Sequence, residues 1–207
     1  MLKRGGVVLM GLLWACGAAA GFKTLLVYAG APGATAAAPV QWPGASPVPR
    51  RPGMPTLIML AHPRCPCSRA SIGELAWIMA RAGGKVAVHV FFVKPEGSPA
   101  EWEKGDLWRS AASIPGVAVH RDEKGVAAGL FGAETSGQTL LYDGSGRLAF
   151  SGGITGARGH AGANAGREAV HALLSGKGAA RIEAPAFGCA LAAPKPEKRG
   201  WWEQWKI

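Results

Sequence analysis

Cys65 and Cys67 stand one residue apart around Pro66, flanked by Arg64 and Arg69, directly after the apolar run 56–61 and the breaker His62-Pro63. A cysteine attacks a disulfide only as its thiolate, and a helix amino terminus or a nearby cation lowers its pKa. A strand-to-helix junction between two arginines therefore predicts a lowered thiol pKa at Cys65. Cysteines this close bridge only if the chain turns enough to bring their alpha carbons within about 4.4 to 6.8 Å, and Pro66 helps by fixing its own φ. So small a ring is strained, and a strained, exposed disulfide is easily reduced, which makes an oxidising couple the expectation. Cys65 then attacks a partner disulfide and Cys67 resolves the mixed disulfide. Two other chemistries fit the same residues. His62, Cys65 and Cys67 form a soft ligand set suited to Cu(I), as in a copper-binding or copper-delivery module. A reactive Cys65 also suits thiol peroxidase-like chemistry. Zinc lacks an evident fourth ligand at finger spacing.

Such a motif needs a sheet and a helix to hold it. Residues 56–61 read as a buried strand, and Ile72, Leu75, Ala76 and Met79 fall at i, i+3, i+4 and i+7, predicting a helix. Ser68 or Ser71 caps that helix and Gly83-Gly84 ends it. The run 86–93 is almost wholly apolar, as in a central parallel strand covered on both faces. A helix over 101–113, a short strand over 117–120 and a weak helix over 123–131 follow, the last interrupted by Gly125 and Gly129. Strands 139–142 and 147–151 flank the turn Asp143-Gly144-Ser145-Gly146, and 167–174 closes as a helix. This order demands an α/β fold with parallel strands first and an antiparallel hairpin last. A thioredoxin-like fold with a central mixed sheet and a β-α element inserted before the hairpin has that order.

At the cysteines the chain resembles the membrane-tethered thioredoxin-like oxidoreductases of the TlpA and ResA kind, whose site usually reads Cys-Pro-Pro-Cys-Arg-Ala. Cys65-Pro66-Cys67-Ser68-Arg69-Ala70 lies on that pattern without a gap, and Glu74-Leu75 falls on the family's Glu-Leu. The resemblance makes Cys65 the attacking cysteine, puts Ser68 at the usual resolving position and leaves Cys67 one place early. Over 56–191 the chain is more closely similar to RedB, a sparsely described thioredoxin-like group. That likeness rests on His62-Pro63-Arg64-Cys65-Pro66-Cys67, the run from Gly152-Gly153-Ile154 to Gly159-His160, and Phe187-Gly188-Cys189. The segment 139–144 is similar to the strand and turn that follow the fold's cis-proline, whose place is taken here by Gly137. In related enzymes that proline shapes the groove beside the cysteines, so this chain departs from the family's way of holding a disulfide substrate.

The surrounding sequence bears on compartment. Lys3 and Arg4 precede a run over 5–28 whose only charge is Lys23, long enough at about 36 Å to span a bilayer as a helix. The two basic residues keep 1–4 cytoplasmic, so the remainder lies on the periplasmic or extracytoplasmic side, where disulfides persist. Cleavage after Ala18-Ala19-Ala20 and lipidation at Cys16 are the competing outcomes, but apolar sequence continuing through Tyr28 favours a single-pass anchor. Residues 29–55, with seven prolines, read as a partly extended linker ahead of a domain over 56–183. The basic tail 184–207, with Trp201, Trp202 and Trp205, suits either a membrane surface or packing on the domain.

Lys+Arg 23 against Asp+Glu 13 gives a net charge of +10, but the charge is scattered and accompanies no nucleic-acid motif, so thiol proteins are the expected partners. Four cysteines in 207 residues exclude a disulfide-dense scaffold. Cys189 reads as a buried or structural thiol, with pairing to another chain or replacement of Cys67 as the other readings. The glycine-rich stretch 152–166, with Arg158, His160, Asn164 and Arg167, reads as a structural loop rather than an anion site. It matches neither a P-loop nor a dinucleotide fingerprint, so no cofactor is expected. His89 reads as a hydrogen-bonded core histidine.

Overall fold

The computed structural model describes residues 4–178 and 182–191. The tail tryptophans and Lys3 lie outside the described residues.

Strand β1 (Thr56–Ala61) is buried along its whole length because its two faces enter different cores. Leu57, Met59 and Ala61 join one core, and Ile58 and Leu60 the other, the period-two alternation of a strand covered on both sides. Helix α2 (Ser68–Ala82) packs Ile72, Leu75 and Ile78 into the first core, and Gly83, at φ 58°, ends it in the left-handed conformation.

Strand β2 (Ala87–Lys94) pairs parallel with β1, and β3 (Val117–Glu123) pairs parallel with β2. Between them runs α3 (Asp106–Ala112), shorter than the sequence predicts. Glu101 sits at φ 62°, which keeps the expected first turn from winding. The short α4 (Val126–Leu130) survives its glycines because the Asp122 carboxylate accepts the Ala127 and Ala128 N–H groups at 2.7 and 2.9 Å.

Strands β4 (Gln138–Tyr142) and β5 (Leu148–Gly153) form the antiparallel hairpin, and α5 (Ala165–Leu174) returns to the α2 side. The Asp143 carboxylate organises the turn by accepting from the Ser145 and Arg147 N–H groups. A two-residue strand that the sequence did not signal, β6 (Ile182–Glu183), pairs parallel with β5. The completed sheet runs β3-β2-β1-β4-β5-β6, with β4 antiparallel to β1. This is the α/β, thioredoxin-like architecture with a central mixed sheet that the element order predicts, with α3 and β3–α4 ahead of the hairpin.

Helix α1 (Arg4–Gly30) stands exposed, and Gly5–Gly30 is long and apolar enough to be a candidate membrane span or signal sequence. The proline-rich stretch after it is extended but laid on the domain. Trp42 packs edge-on against Phe131 and Tyr142 at 5.4 and 5.2 Å, Val48 is buried, and Leu148 N–H donates to Val40 O at 2.8 Å. His89 is hydrogen-bonded as expected. Its Nδ1 lies 2.9 Å from His120 Nε2, and burial, the facing His120 and Arg51 hold the His89 pKa down to about 4.

Candidate functional site

The Cys65-Pro66-Cys67 motif is wound into the opening turn of α2. Ser68, Arg69 and Ala70 N–H groups donate to the carbonyls of Cys65, Pro66 and Cys67 at 3.1, 3.3 and 3.2 Å. Cys67, the residue before the helix, is already helical at φ −65°, ψ −31°. Pro66 fits here because a first-turn residue needs no N–H partner. Three thiols meet at this point: Cys65, fully buried, and Cys67 and Cys189, half-buried.

Burial alone pushes the Cys65 thiol up, but hydrogen bonds from Ser68 and Cys189 outweigh it and hold the pKa at about 7. Cys189 N–H donates to Cys65 Sγ at 3.4 Å. The Ser68 hydroxyl lies 2.6 Å from that of Ser136, which accepts His62 N–H at 2.6 Å. Each hydroxyl has one proton to give. With Ser68 donating to the sulfur, it accepts from Ser136, and Ser136 from His62, so every link points toward Cys65 and favours its anion. Burial, the charge of Cys65 and hydrogen bonding to its sulfur push the Cys67 thiol up. Burial, hydrogen bonding to Cys65 and that same charge push Cys189 up to about 12. One thiolate is thus set between two thiols.

The direction of the Cys65 shift agrees with the sequence reading, and so does one cause, the Ser68 N–H at the start of α2, but the flanking arginines are not among the causes. Arg64 lies over the Trp102 ring at 4.8 Å rather than serving the sulfur. The cation that acts on Cys67 and Cys189 is Arg158, from the glycine-rich loop, whose charge opposes the rise in both thiols. Its guanidinium also donates to Gly188 O and lies over Tyr28 at 4.9 Å, while its buried Nε has no hydrogen-bond partner among the described residues. The loop is pinned by Asn164, which caps α5 by accepting Arg167 N–H at 2.9 Å, and by Glu74, which accepts Gly162 N–H at 2.5 Å.

Gly137 takes the backbone past the motif at φ 90°, and a Cβ there would collide with the Ser71 hydroxyl. Its N–H donates to Leu60 O at 2.7 Å, tying the segment to β1. The chain's own residues 188–191 run beside this edge. Thr135 bridges antiparallel to Ala190, Ser136 N–H donates to Cys189 O at 2.8 Å, and Leu191 N–H donates to Glu134 O at 2.8 Å. Neither Ser136 nor this pairing carries a signal in the sequence. The cluster around Cys189 is foreshadowed only by the cysteine that follows Phe187-Gly188.

The ligand set for copper is not assembled. His62 Nδ1 accepts Arg64 N–H at 3.2 Å, and its ring meets Trp102 edge-on at 5.4 Å. Among the described residues no three His, Cys, Asp or Glu side chains are arranged to hold a metal ion.

A prediction follows for the donor chain. Replacing Ser68 by Ala removes its last link, and a hydrogen bond to a charged group is worth about 1.5 to 3 kcal/mol, or about one pH unit or more. Alkylation of Cys65 should rise with pH through about 7 and plateau above it in the native protein. In Ser68→Ala the midpoint should move up by at least about one unit. Site-resolved mass spectrometry of iodoacetamide labelling reads this directly, and an unmoved midpoint removes Ser68 from the chain.

The class defined by these observations is an α/β domain of thioredoxin-like architecture with three converging thiols at the strand-to-helix junction. No protein-family model and no curated protein matches the chain. Solved structures do. A hypothetical protein, SMc02350, from Sinorhizobium meliloti 1021 aligns with TM-score 0.56 and 24% identity over 78% of this chain and 93% of that one. An uncharacterized conserved protein from Geobacillus kaustophilus gives TM-score 0.57 and 18% identity over 81% and 94%. These two share the fold. A looser match, TM-score 0.44 with 17% identity over 60% and 85%, is the exposed lipoprotein thioredoxin Etrx1 from Streptococcus pneumoniae, too distant to bear on the site.

Proposed function

We propose that the chain is an exported, membrane-tethered thiol-disulfide oxidoreductase of the RedB kind, exchanging through Cys65-Pro66-Cys67 on the periplasmic side. The observation that carries this reading is the Cys65 thiol held at about 7 by donors that converge on its sulfur. A thiol with pKa near ambient pH combines a useful thiolate fraction with retained nucleophilicity, and it is also a good leaving group.

The Cys65 thiolate attacks one sulfur of a partner disulfide, forming a mixed disulfide and expelling the partner's other sulfur as a thiolate. A second thiol of the site, Cys67 within the motif, then loses its proton and attacks Cys65 Sγ. The mixed disulfide breaks, the partner leaves as a dithiol, and the domain keeps the disulfide. Run backwards, the same steps oxidise a partner. Stabilising the Cys65 thiolate stabilises the reduced form, which favours the oxidising direction. Because Cys65 is fully buried with Cys189 N–H on its sulfur, the strip 188–191 must lift before a partner reaches it.

Equilibration of the detergent-solubilised chain against glutathione redox buffers tests the reading. A reversible two-electron couple, followed by counting free thiols, is expected, more oxidising than about −230 mV. Thiols that never bridge across the whole series would overturn the proposal.

A further inference from the structure

Resting on the oxidoreductase reading but replacing Cys67 as the resolving thiol, we propose that Cys189 is the thiol that closes on Cys65, forming a disulfide between the opening turn of α2 and the strip 188–191.

The two candidate partners of Cys65 are placed very differently. Cys67 lies two residues on in a segment already wound by the Ser68 N–H to Cys65 O bond of 3.1 Å and the Ala70 N–H to Cys67 O bond of 3.2 Å. Both thiols reach the Cys65 sulfur as hydrogen-bond partners, but closing a bond to Cys67 makes a small strained ring inside this wound segment and works against the bonds that start α2. Cys189 arrives from a separate segment, 124 residues along the chain, and no helical bond opposes its approach.

That segment is held in register at several points. Gly33 N–H donates to Ala186 O at 2.8 Å, Arg158 donates to Gly188 O, Ser136 N–H donates to Cys189 O at 2.8 Å, and Ala190 bridges Thr135. Gly188 lies so close to the Ser136 carbonyl that any Cβ there would collide with it. With its backbone gripped on both sides, Cys189 presents its N–H to Cys65 Sγ at 3.4 Å.

The exchange then works as a latch. The strip lifts, the Cys65 thiolate attacks the partner disulfide, and one partner thiolate departs. The strip closes, the Cys189 thiol gives its proton to solvent, and its sulfur attacks Cys65 Sγ. The Cys65–partner bond breaks, the second partner sulfur leaves with the electron pair, and the Cys65–Cys189 bond forms. Two electrons have passed from the domain to the partner. While Cys65 is a free thiolate its charge holds the Cys189 proton on, and capture of Cys65 in the mixed disulfide removes that charge. Cys189 is therefore most readily ionised at the stage where it is needed.

The full chain in detergent, oxidised with glutathione disulfide, alkylated and digested with trypsin without reductant, decides the matter. The expected product is fragment 65–69 joined to fragment 182–198, with Cys67 alkylated, in at least tenfold excess over fragment 65–69 bridged within itself. In Cys189→Ser the joined fragments must vanish, and the glutathione adduct on fragment 65–69 should persist at least tenfold longer. An internal 65–67 bridge in the native chain, unchanged in Cys189→Ser, overturns this inference and leaves the oxidoreductase intact. Absence of any bridge or adduct on fragment 65–69 overturns both.

Discussion

Replacing Cys65 by Ser should lower catalysed reduction of insulin or a small model disulfide by at least ~10³-fold, to the uncatalysed background. The loss follows from what the site does to this one sulfur. Ser68, Ser136 and the Cys189 N–H are arranged to stabilise a thiolate at about 7. A serine hydroxyl in the same place stays protonated at any physiological pH and forms no disulfide. Cys67 and Cys189 are poor substitutes, because burial, the largest cause of their raised pKa, persists after the Cys65 charge is gone, and neither sits where the donors converge. The hydroxyl replaces the thiol in size and can accept the same N–H, so the fold should persist, and an unchanged melting temperature would assign the loss to chemistry. Turnover in Cys65→Ser within tenfold of the native rate would show that another sulfur carries the reaction, and the assignment of Cys65 would fall.

How far the sequence discloses this site depends on whether the signal is local. The β1 strand, the α2 pattern ended by Gly83-Gly84 and the hairpin around Asp143 are written in short stretches whose periodicity or turn residues act on their own backbone. The motif Cys65-Pro66-Cys67 is legible for the same reason. The strand β6 is not, since a long-range pairing with β5 sets it, and no local pattern marks the left-handed Glu101 that delays α3. The cause of the Cys65 shift is of both kinds. Arginine is adjacent to the cysteines in sequence, yet Arg64 is drawn onto Trp102; the Ser68 donor is local, while the hydroxyl behind it comes from residue 136 and the other donor from residue 189 across the fold. A resemblance located Ser68 at a resolving position, but only the tertiary arrangement shows its hydroxyl in the chain of donors that ends at Cys65. Residues 29–55 read as a linker from their prolines, while their contacts through Trp42 and Val48 depend on an apolar face that exists only once the sheet has formed.

The second large effect belongs to Glu74, about two turns into α2 from the cysteines. Its carboxylate is nearly buried, at 5% side-chain exposure, and binds Arg167 Nη1 at 2.9 Å and Gly162 N–H at 2.5 Å. It thereby fixes α2 to α5 and to the loop that carries Arg158. Glu74→Ala leaves the Arg167 guanidinium, itself 9% exposed, without its buried partner, and breaking such a pair typically costs about 3 to 5 kcal/mol. Arg167 keeps Glu168 at 2.7 Å and the Trp77 ring at 4.0 Å, which places the expected loss near the low end, about 3 kcal/mol. For a domain of this size that lowers the melting temperature by roughly 6 to 12 °C. Removing both charges with apolar residues, Glu74→Met with Arg167→Met, should cost less than Glu74→Ala alone, because no unpaired charge is left inside. Unfolding of the detergent-solubilised chain, followed by tryptophan fluorescence, measures all three proteins. A single-variant loss below about 1 kcal/mol would mean that the pair behaves as an exposed ion pair does. The loop would then be held by Asn164 and its own turns, and Arg158 would keep its place beside the thiols without help from α2.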